Sequence, residues 1–288
     1  MVDNAILYIA CGDTHIDKAI QSKQSFMEHH NNIDSVIIAD RYIDGFDRSF
    51  ITDLNVEHIQ GRNWLIESII YHEYLEWLSD YDNILFLDND TYVCDNVDEI
   101  FRYLNLYDIC MARREWHIYD NGIFSGLNCG VIAFRNNANI KRLFIRWEKK
   151  YHEQITNNKK YTDQPVFNEV IKDMQSTVNL YILPNTYNLR TPMGYVKGKV
   201  KILHGKGDLP KISGEINQDY ERRIYTKNPS FKSNELKVKR HFDLLYHIEY
   251  TLRKHGIITM SKVGLTYLYD KLTNSNKMEQ YKYLDLGN

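Results

Sequence analysis

Along the first ninety residues, short apolar runs alternate with longer segments whose apolar residues return every three or four positions. Residues 5–10, AILYIA, form an apolar run closed by Cys11-Gly12-Asp13, a turn signal. Residues 17–30, DKAIQSKQSFMEHH, gather Ala19, Ile20, Phe26 and Met27 on one side of a helix. SVIIAD (35–40) is a second strand that ends on an acid, NWLIESIIYHEYLEWLS (63–79) a long amphipathic helix, and NILFLD (83–88) a third strand. An order β-α-β-α-β with near-continuous apolar strands predicts a mostly parallel sheet covered on both faces. Ligands of such sheets bind beyond the carboxyl ends of the strands. The three strands end at Gly12-Asp13, Asp40 and Asp88-Asn89-Asp90, so their polar residues converge on one edge.

The pattern continues with a strand at 127–134, LNCGVIAF, and a helix over IKRLFIRWEKKYHEQI. Residues 161–174 read as a turn into a helix, with Pro165 early, where proline is tolerated. NLYILP (179–184) and KVKILHG (199–205) are two more strands. Past about residue 215 the character changes: 221–262 is rich in Lys and Arg, and helical patterns such as FDLLYHIEYTLRKHG follow. The division expected is one α/β domain over 1–215 and a C-terminal helical appendage over 216–288.

Composition narrows the classes. With 43% hydrophobic and 26% charged residues, the chain is neither disordered nor membrane-spanning in character. A formal charge of -2 argues against a bulk nucleic-acid binder, which would be basic or carry a clear basic stripe. Cys11, Cys94, Cys110 and Cys129 form no CxxC pair and no zinc-ligand spacing, so buried, reduced thiols are expected. The opening MVDNAILYIACGDTH lacks a positive n-region and reads as a strand, not a signal peptide. No segment reaches the roughly 18 apolar residues of a membrane span. A cytoplasmic, soluble protein is the expectation.

The chemistry gathers at ILFLDND, residues 84–90. In an extended segment positions i and i+2 point the same way, so Asp88 and Asp90 face one small volume beside an apolar core. Left alone they would repel, and one pKa would rise. A divalent cation removes the conflict; oxygen ligands suit Mg²⁺ or Mn²⁺, which keep open positions for substrate phosphates. A solvated Asp-Asn-Asp turn is the plainer alternative. KILHGKGDLPK (201–211) adds His204, which can complete a metal site, then glycines that admit phosphate oxygens to backbone N–H groups, and lysines as point charges.

NILFLDNDTYVCDNVDEIF resembles the DxD segment of glycosyltransferase family 8, the glycogenin-like enzymes with a GT-A fold. The resemblance runs in order through LNCGV, YTDQPVFNEV, LPNTYNL and LHGKGDLPK, over roughly residues 5 to 211. It implies a Rossmann-like mixed α/β sheet flanked by helices, and Mn²⁺ (or Mg²⁺) held by Asp88, Asp90 and His204 on the diphosphate of a UDP-sugar. Asn89 would space the acids, its side chain pointing away from the metal. Gly207 matches the glycine of the family's HxxG pattern and would touch the diphosphate, beside Gly205 and Lys206; either Lys206 or Lys211 would serve the leaving phosphate. The first loop, Ala10 to His15, would hold the uridine, with Asp13 reaching the base and His15 stacking on it. Asn128 and the pair Asp163-Gln164 match positions around the transferred sugar, where a carboxylate or amide oxygen would stabilise the developing cation. Asp163 also fits as the N-cap of the helix that follows.

The implied function is retaining transfer of a hexose, glucose or galactose, to a glycan, lipid-linked or protein acceptor. The sequence departs from the family in two places. The Arg or Lys about sixteen residues before the first aspartate is replaced by Tyr71-His72-Glu73, leaving Arg62 or His72 for that role, and HGKGDLPK ends without the family's tryptophan. Two other readings compete. A sugar-nucleotide nucleotidyltransferase would carry a glycine-rich basic loop after the first strand, which CGDTHID lacks; a catalytically silent binding module would not need Asp88, Asp90 and His204. Tyr246, Tyr250, Tyr267 and Tyr269 are candidate self-glycosylation acceptors, although their helical spacing favours packing. The basic C-terminal stretch is a candidate for peripheral contact with an anionic membrane. A homodimer is left open.

Overall fold

The computed structural model describes residues 3–52, 78–113, 126–156, 163–191, 195–196, 198–218, 224–227 and 237–240. The predicted helix at 63–79 as far as residue 77, the region of Arg62 and Tyr71-His72-Glu73, residues 114–125, the helical pattern after 240 and the four C-terminal tyrosines lie outside these residues.

The described chain begins β1 (Asn4–Ala10), α1 (Asp13–Met27), β2 (Asp34–Ala39), β3 (Arg48–Ile51), β4 (Asn83–Leu87), β5 (Thr91–Val93), α2 (Asp98–Tyr103), β6 (Ile109–Arg113) and β7 (Leu127–Arg135). It continues α3 (Ala138–Thr156), α4 (Asp163–Asp173), β8 (Leu180–Leu183), a 3-10 turn (Asn185–Tyr187), β9 (Leu189–Thr191), β10 (Tyr195–Val196), β11 (Ile202–Gly205), α5 (Leu209–Ile216), β12 (Ile224–Lys227) and β13 (Lys237–Arg240).

Seven strands form the main sheet in the order β3-β2-β1-β4-β7-β6-β8. β7 runs antiparallel to both neighbours, and every other adjacent pair is parallel. This is the mixed, mostly parallel α/β sheet the apolar pattern predicted. Period-2 alternation sends successive residues of β1 to opposite layers. Ala5, Leu7 and Ile9 pack beneath α3 and α4 with Phe144, Trp147 and Phe167, while Ile6, Tyr8 and Ala10 pack beneath α1 and α2 with Ala19, Phe26 and Ile100. Trp147 is fully buried, its ring 4.8 Å from that of Phe167. Central strands buried on both faces account for the unbroken apolar runs of the sequence.

A second sheet, β5-β11-β9, stands at the carboxyl edge of the first. Asp88-Asn89-Asp90 is the whole link between β4 and β5. β11 pairs antiparallel with β5 and parallel with β9, which sets His204 opposite Thr91 on one side and Arg190 on the other. Leu203 and the apolar face of α5 (Leu209, Ile212 and Ile216) form a small core of their own with Leu189 and Val200.

Three differences from the sequence expectation have physical causes. β3, β5, β6 and β9 were not foreseen; β5 and β9 have three residues each, too few to display a period. α1 starts at Asp13, four residues earlier than its apolar spacing marks, because Asp13, Thr14 and His15 are polar and hide the helical period ahead of Ile16. In the Lys/Arg-rich stretch, β12 pairs antiparallel with β13 and with β10, so part of the expected helical appendage is strand.

Candidate functional site

Asp88 and Asp90 leave the buried end of β4, and β11 carries His204 back to them. The His204 Nε2 atom lies 3.1 Å from Asp88 Oδ2 and 3.4 Å from Asp90 Oδ1. The backbone fixes this meeting. Asp88 N–H donates to Gly130 O at 2.9 Å, Gly205 N–H donates to Asp90 O at 2.8 Å, and the Thr91 hydroxyl donates to Asp88 O at 2.8 Å.

The charge problem of the acid pair has a different answer in the protein by itself from the one expected. Burial works to raise the Asp90 pKa, but the hydrogen bond and charge of His204, joined by the Lys18 ammonium, bring it down to about 2. Burial likewise works to lower the imidazole pKa, and the hydrogen bonds and charges of Asp88 and Asp90 overcome it and lift His204 to about 9. An imidazolium therefore partly neutralises the acids. A cation and that proton compete for the same nitrogen, since a ligating histidine is neutral.

The donor set fits a divalent ion. One oxygen from each carboxylate and the imidazole nitrogen all lie within 4.8 Å of one another. Neighbouring ligands of an octahedral ion bound at about 2.1 Å stand about 3 Å apart, close to the separations of 3.1 and 3.4 Å seen here. Two carboxylates and one imidazole are ligands for a divalent ion and do not form a tetrahedral thiolate site.

Behind the cluster runs a buried row of amides. His204 Nδ1 is 2.9 Å from Asn188 Oδ1, Asn188 Nδ2 is 2.7 Å from Asn128 Oδ1, and Asn128 Nδ2 is 2.9 Å from Gln164 Oε1. The residues expected around the sugar are thus joined to those expected around the metal. Asp163 opens α4 beside Gln164; its side chain lies outside the described atoms. Asn188 was not singled out from the sequence, although LPNTYNL was. Gly130, in LNCGV, was also missed: a β-carbon there would stand 2.1 Å from His204 Cε1.

The remaining expected residues spread along the same edge. Ala10 is the buried last residue of β1. Asp13 is exposed and pairs with Arg41, while Gly12 N–H donates to Asp40 Oδ2 at 2.8 Å, tying the ends of β1 and β2. His15 Nδ1 lies 3.4 Å from Asn89 Oδ1, so Asn89 turns from the metal ligands toward the first turn of α1. Gly205 has φ +120, and a β-carbon on it would strike Thr191 O at 2.7 Å. Thr191 also holds the turn, its hydroxyl donating to Lys206 O at 2.5 Å. Gly207, at φ 113, is exposed with Lys206, and Asp208 caps α5 by accepting from Lys211 N–H at 3.2 Å.

One cation near the acids had no forecast. Ser22 bonds Thr91 across α1 and β5 at 2.7 Å, and Ser25 Oγ accepts from Val93 N–H at 2.9 Å. With the His15–Asn89 contact, these bonds align residues 15, 22 and 25 of α1 against residues 89–93. Lys18 occupies the same helical face between them, exposed at the mouth of the site.

Residues 78–208 match the family model of the nucleotide-diphospho-sugar transferases. The matched stretch is a little under half of the chain and carries Asp88, Asp90, Asn128, Asp163, Gln164, Asn188 and His204. Over it the protein is similar to transferases that use a sugar nucleotide as donor, and the nucleotide-diphospho-sugar transferase likeness agrees with the mixed sheet. No curated protein matches the sequence. The four cysteines are free, with Cys11, Cys110 and Cys129 buried, and burial pushes the Cys110 thiol up to about 12. Among the described residues, no helix is long and apolar enough to cross a membrane.

Proposed function

We propose that this protein is a metal-dependent, retaining glycosyltransferase that moves a hexose, glucose or galactose, from a UDP-sugar to a glycan, glycolipid or protein acceptor. The observation that carries the reading is the meeting of Asp88, Asp90 and His204 at the carboxyl edge of the sheet, bonded through Asn188 to Asn128 and Gln164. The likeness to nucleotide-diphospho-sugar transferases supports the donor class, and the resemblance to family 8 supports retention.

Asp88, Asp90 and His204 would hold Mn²⁺ or Mg²⁺. A bound ion there supplies Lewis-acid stabilisation of the departing diphosphate. The chain's own groups do the rest. The turn Gly205-Lys206-Gly207 presents backbone and a lysine to the phosphates, with Lys18 and Lys211 as further positive charge. Asp13 and His15 would take the base. Asn128 and Gln164 hold the sugar's hydroxyls, and Asp163 or the Gln164 amide oxygen stabilises positive charge developing at the anomeric carbon. The bond from that carbon to the phosphate oxygen breaks, and one to the acceptor hydroxyl forms on the same face. The hydroxyl proton passes to the departing phosphate oxygen.

The test is a screen of UDP- and GDP-sugars for release of the nucleoside diphosphate, with Mn²⁺ and with chelator. Mn²⁺-dependent release from a UDP-hexose, with the anomeric configuration kept in the product, is the expected result. Binding of the nucleotide sugar without turnover points to a silent module, and formation of a sugar nucleotide from nucleoside triphosphate points to a nucleotidyltransferase.

A further inference from the structure

The direction of the buried amide row follows from one backbone group. Gly130 N–H, which can only donate, points at Asn128 Oδ1 at 3.1 Å. That fixes the Asn128 oxygen as the acceptor end, so the Asn128 amide nitrogen donates to Gln164 Oε1. Asn188 reaches the same Asn128 oxygen at 2.7 Å and therefore donates to it through its own nitrogen. The Asn188 oxygen is then the end that faces His204 Nδ1 at 2.9 Å, and that ring nitrogen carries the hydrogen. All four side chains are buried, with relative exposures from 1% for Asn188 to 7% for Gln164, so water does not reorient them freely. Asn–His ambiguity, normally settled only by fitting a network, is settled here by a main-chain donor.

We infer that Asn188 is a positioning residue that holds His204 with Nδ1–H on its own side chain and Nε2 toward Asp88 and Asp90, where Nε2 gives up its proton to ligate a cation, and that ties this orientation to the sugar-side pair Asn128 and Gln164. The inference rests on the proposed transferase reading for its purpose, and on hydrogen-bond direction for its geometry. Metal-ligating histidines commonly donate their second N–H to an oxygen that fixes tautomer and ring plane. Here that oxygen belongs to an amide whose other end holds Asn128. A displacement of Asn128 or Gln164 by a sugar hydroxyl is felt at His204 through two side chains, so cation affinity and sugar binding are coupled in both directions.

The test measures Mn²⁺ binding by electron paramagnetic resonance, with and without UDP-glucose, alongside steady-state kinetics and thermal melting. Asn188→Ala removes both bonds, and Mn²⁺ affinity is expected to fall about 10- to 100-fold. Asn188→Asp keeps an oxygen for His204 Nδ1–H but loses the donor to Asn128. It is expected to recover most of the Mn²⁺ affinity while kcat stays depressed, a split that a merely structural role does not produce. Should a variant melt before it can be measured, ¹⁵N NMR of histidine-labelled wild-type protein in excess Mg²⁺ reads the protonation of each ring nitrogen directly, and a His204 ring with no proton on Nδ1 overturns the inference. Asn188→Ala that binds Mn²⁺ as tightly as wild type also overturns it, leaving the transferase reading intact. Wild type that binds Mn²⁺ but turns over no sugar nucleotide, with the Asn188→Ala affinity loss still present, supports the positioning role and removes the transferase reading.

Discussion

Gly130 leaves the space that the His204 ring fills: a β-carbon on Gly130 would lie 2.1 Å from Cε1, 2.5 Å from Nδ1 and 2.7 Å from Nε2 of His204. These are overlaps with a ring that is itself buried and bonded on both sides, so the ring cannot swing aside cheaply. Gly130 sits inside β7, where glycine weakens a strand and usually marks a close approach. Gly130→Ala is expected to expel the imidazole from the carboxylates and weaken Mn²⁺ binding by about 10- to 100-fold. A competition titration against a metal indicator checks this; wild-type affinity in Gly130→Ala would mean the ring moves without consequence.

Asp90→Ala is expected to abolish Mn²⁺-dependent turnover and leave the protein folded. The variant loses the His204–Asp90 contact but also relieves repulsion between the two acids, and Asp88 remains to pair with His204. Thermal melting with added Mn²⁺ separates the two effects. At about a hundredfold excess over its Kd, a ligand stabilises the folded state by about 2.7 kcal/mol. Wild type should show that upward shift and Asp90→Ala should not.

Lys18 is expected to serve the donor's phosphates, because it shares the α1 face that His15 and Ser22 press against residues 89–93 and its charge reaches Asp90. Lys18→Ala should raise KM for the UDP-sugar, by a larger factor at low than at high ionic strength, since an exposed charge is screened by salt. Unchanged KM across a salt series would return that role to the residues upstream of Asp88.

His30 gives the fold a pH dependence of known sign. Its ring stacks on Phe26, donates from Nδ1 to Asp98 at 2.9 Å and accepts Val97 N–H at Nε2, 3.2 Å away. Burial lowers the His30 pKa, and the Asp98 charge and hydrogen bond only partly oppose it. The unfolded chain therefore binds a proton more readily than the folded one. His30 contributes its full stability above the ordinary histidine value of 6.5 and loses it as pH falls through the folded value. Denaturant midpoints measured from pH 7.5 down to pH 5 should fall more steeply for wild type than for His30→Gln; equal slopes would contradict the assignment.

Much of the site was readable along the chain because its parts are local. An apolar run that ends in Asp-Asn-Asp declares both a buried strand and a charge that needs a partner, and DQP before a helical pattern places Gln164 at a helix start. The glycines of HGKG likewise mark a turn that only glycine makes. What was not readable depends on side-chain direction between distant segments. Asn188 is one of many asparagines in this sequence, and nothing local tells it from the rest; it becomes a partner of His204 only when β9 and β11 lie parallel. Lys18 is spaced as an ordinary exposed helical lysine until Ser22 and Ser25 press its helix against β5.

The sequence by itself determined the mixed α/β sheet and the edge on which its polar residues gather, because periodicity and strand-end chemistry are written in neighbours. It also brought two aspartates, a histidine and a glycine-lysine turn to that edge. Only the tertiary structure decided that an imidazole, held by Asn188 and admitted by Gly130, meets the two aspartates. That pairing joins segments more than a hundred residues apart, and its electrostatics follow from burial and distance, which exist only once the chain has folded.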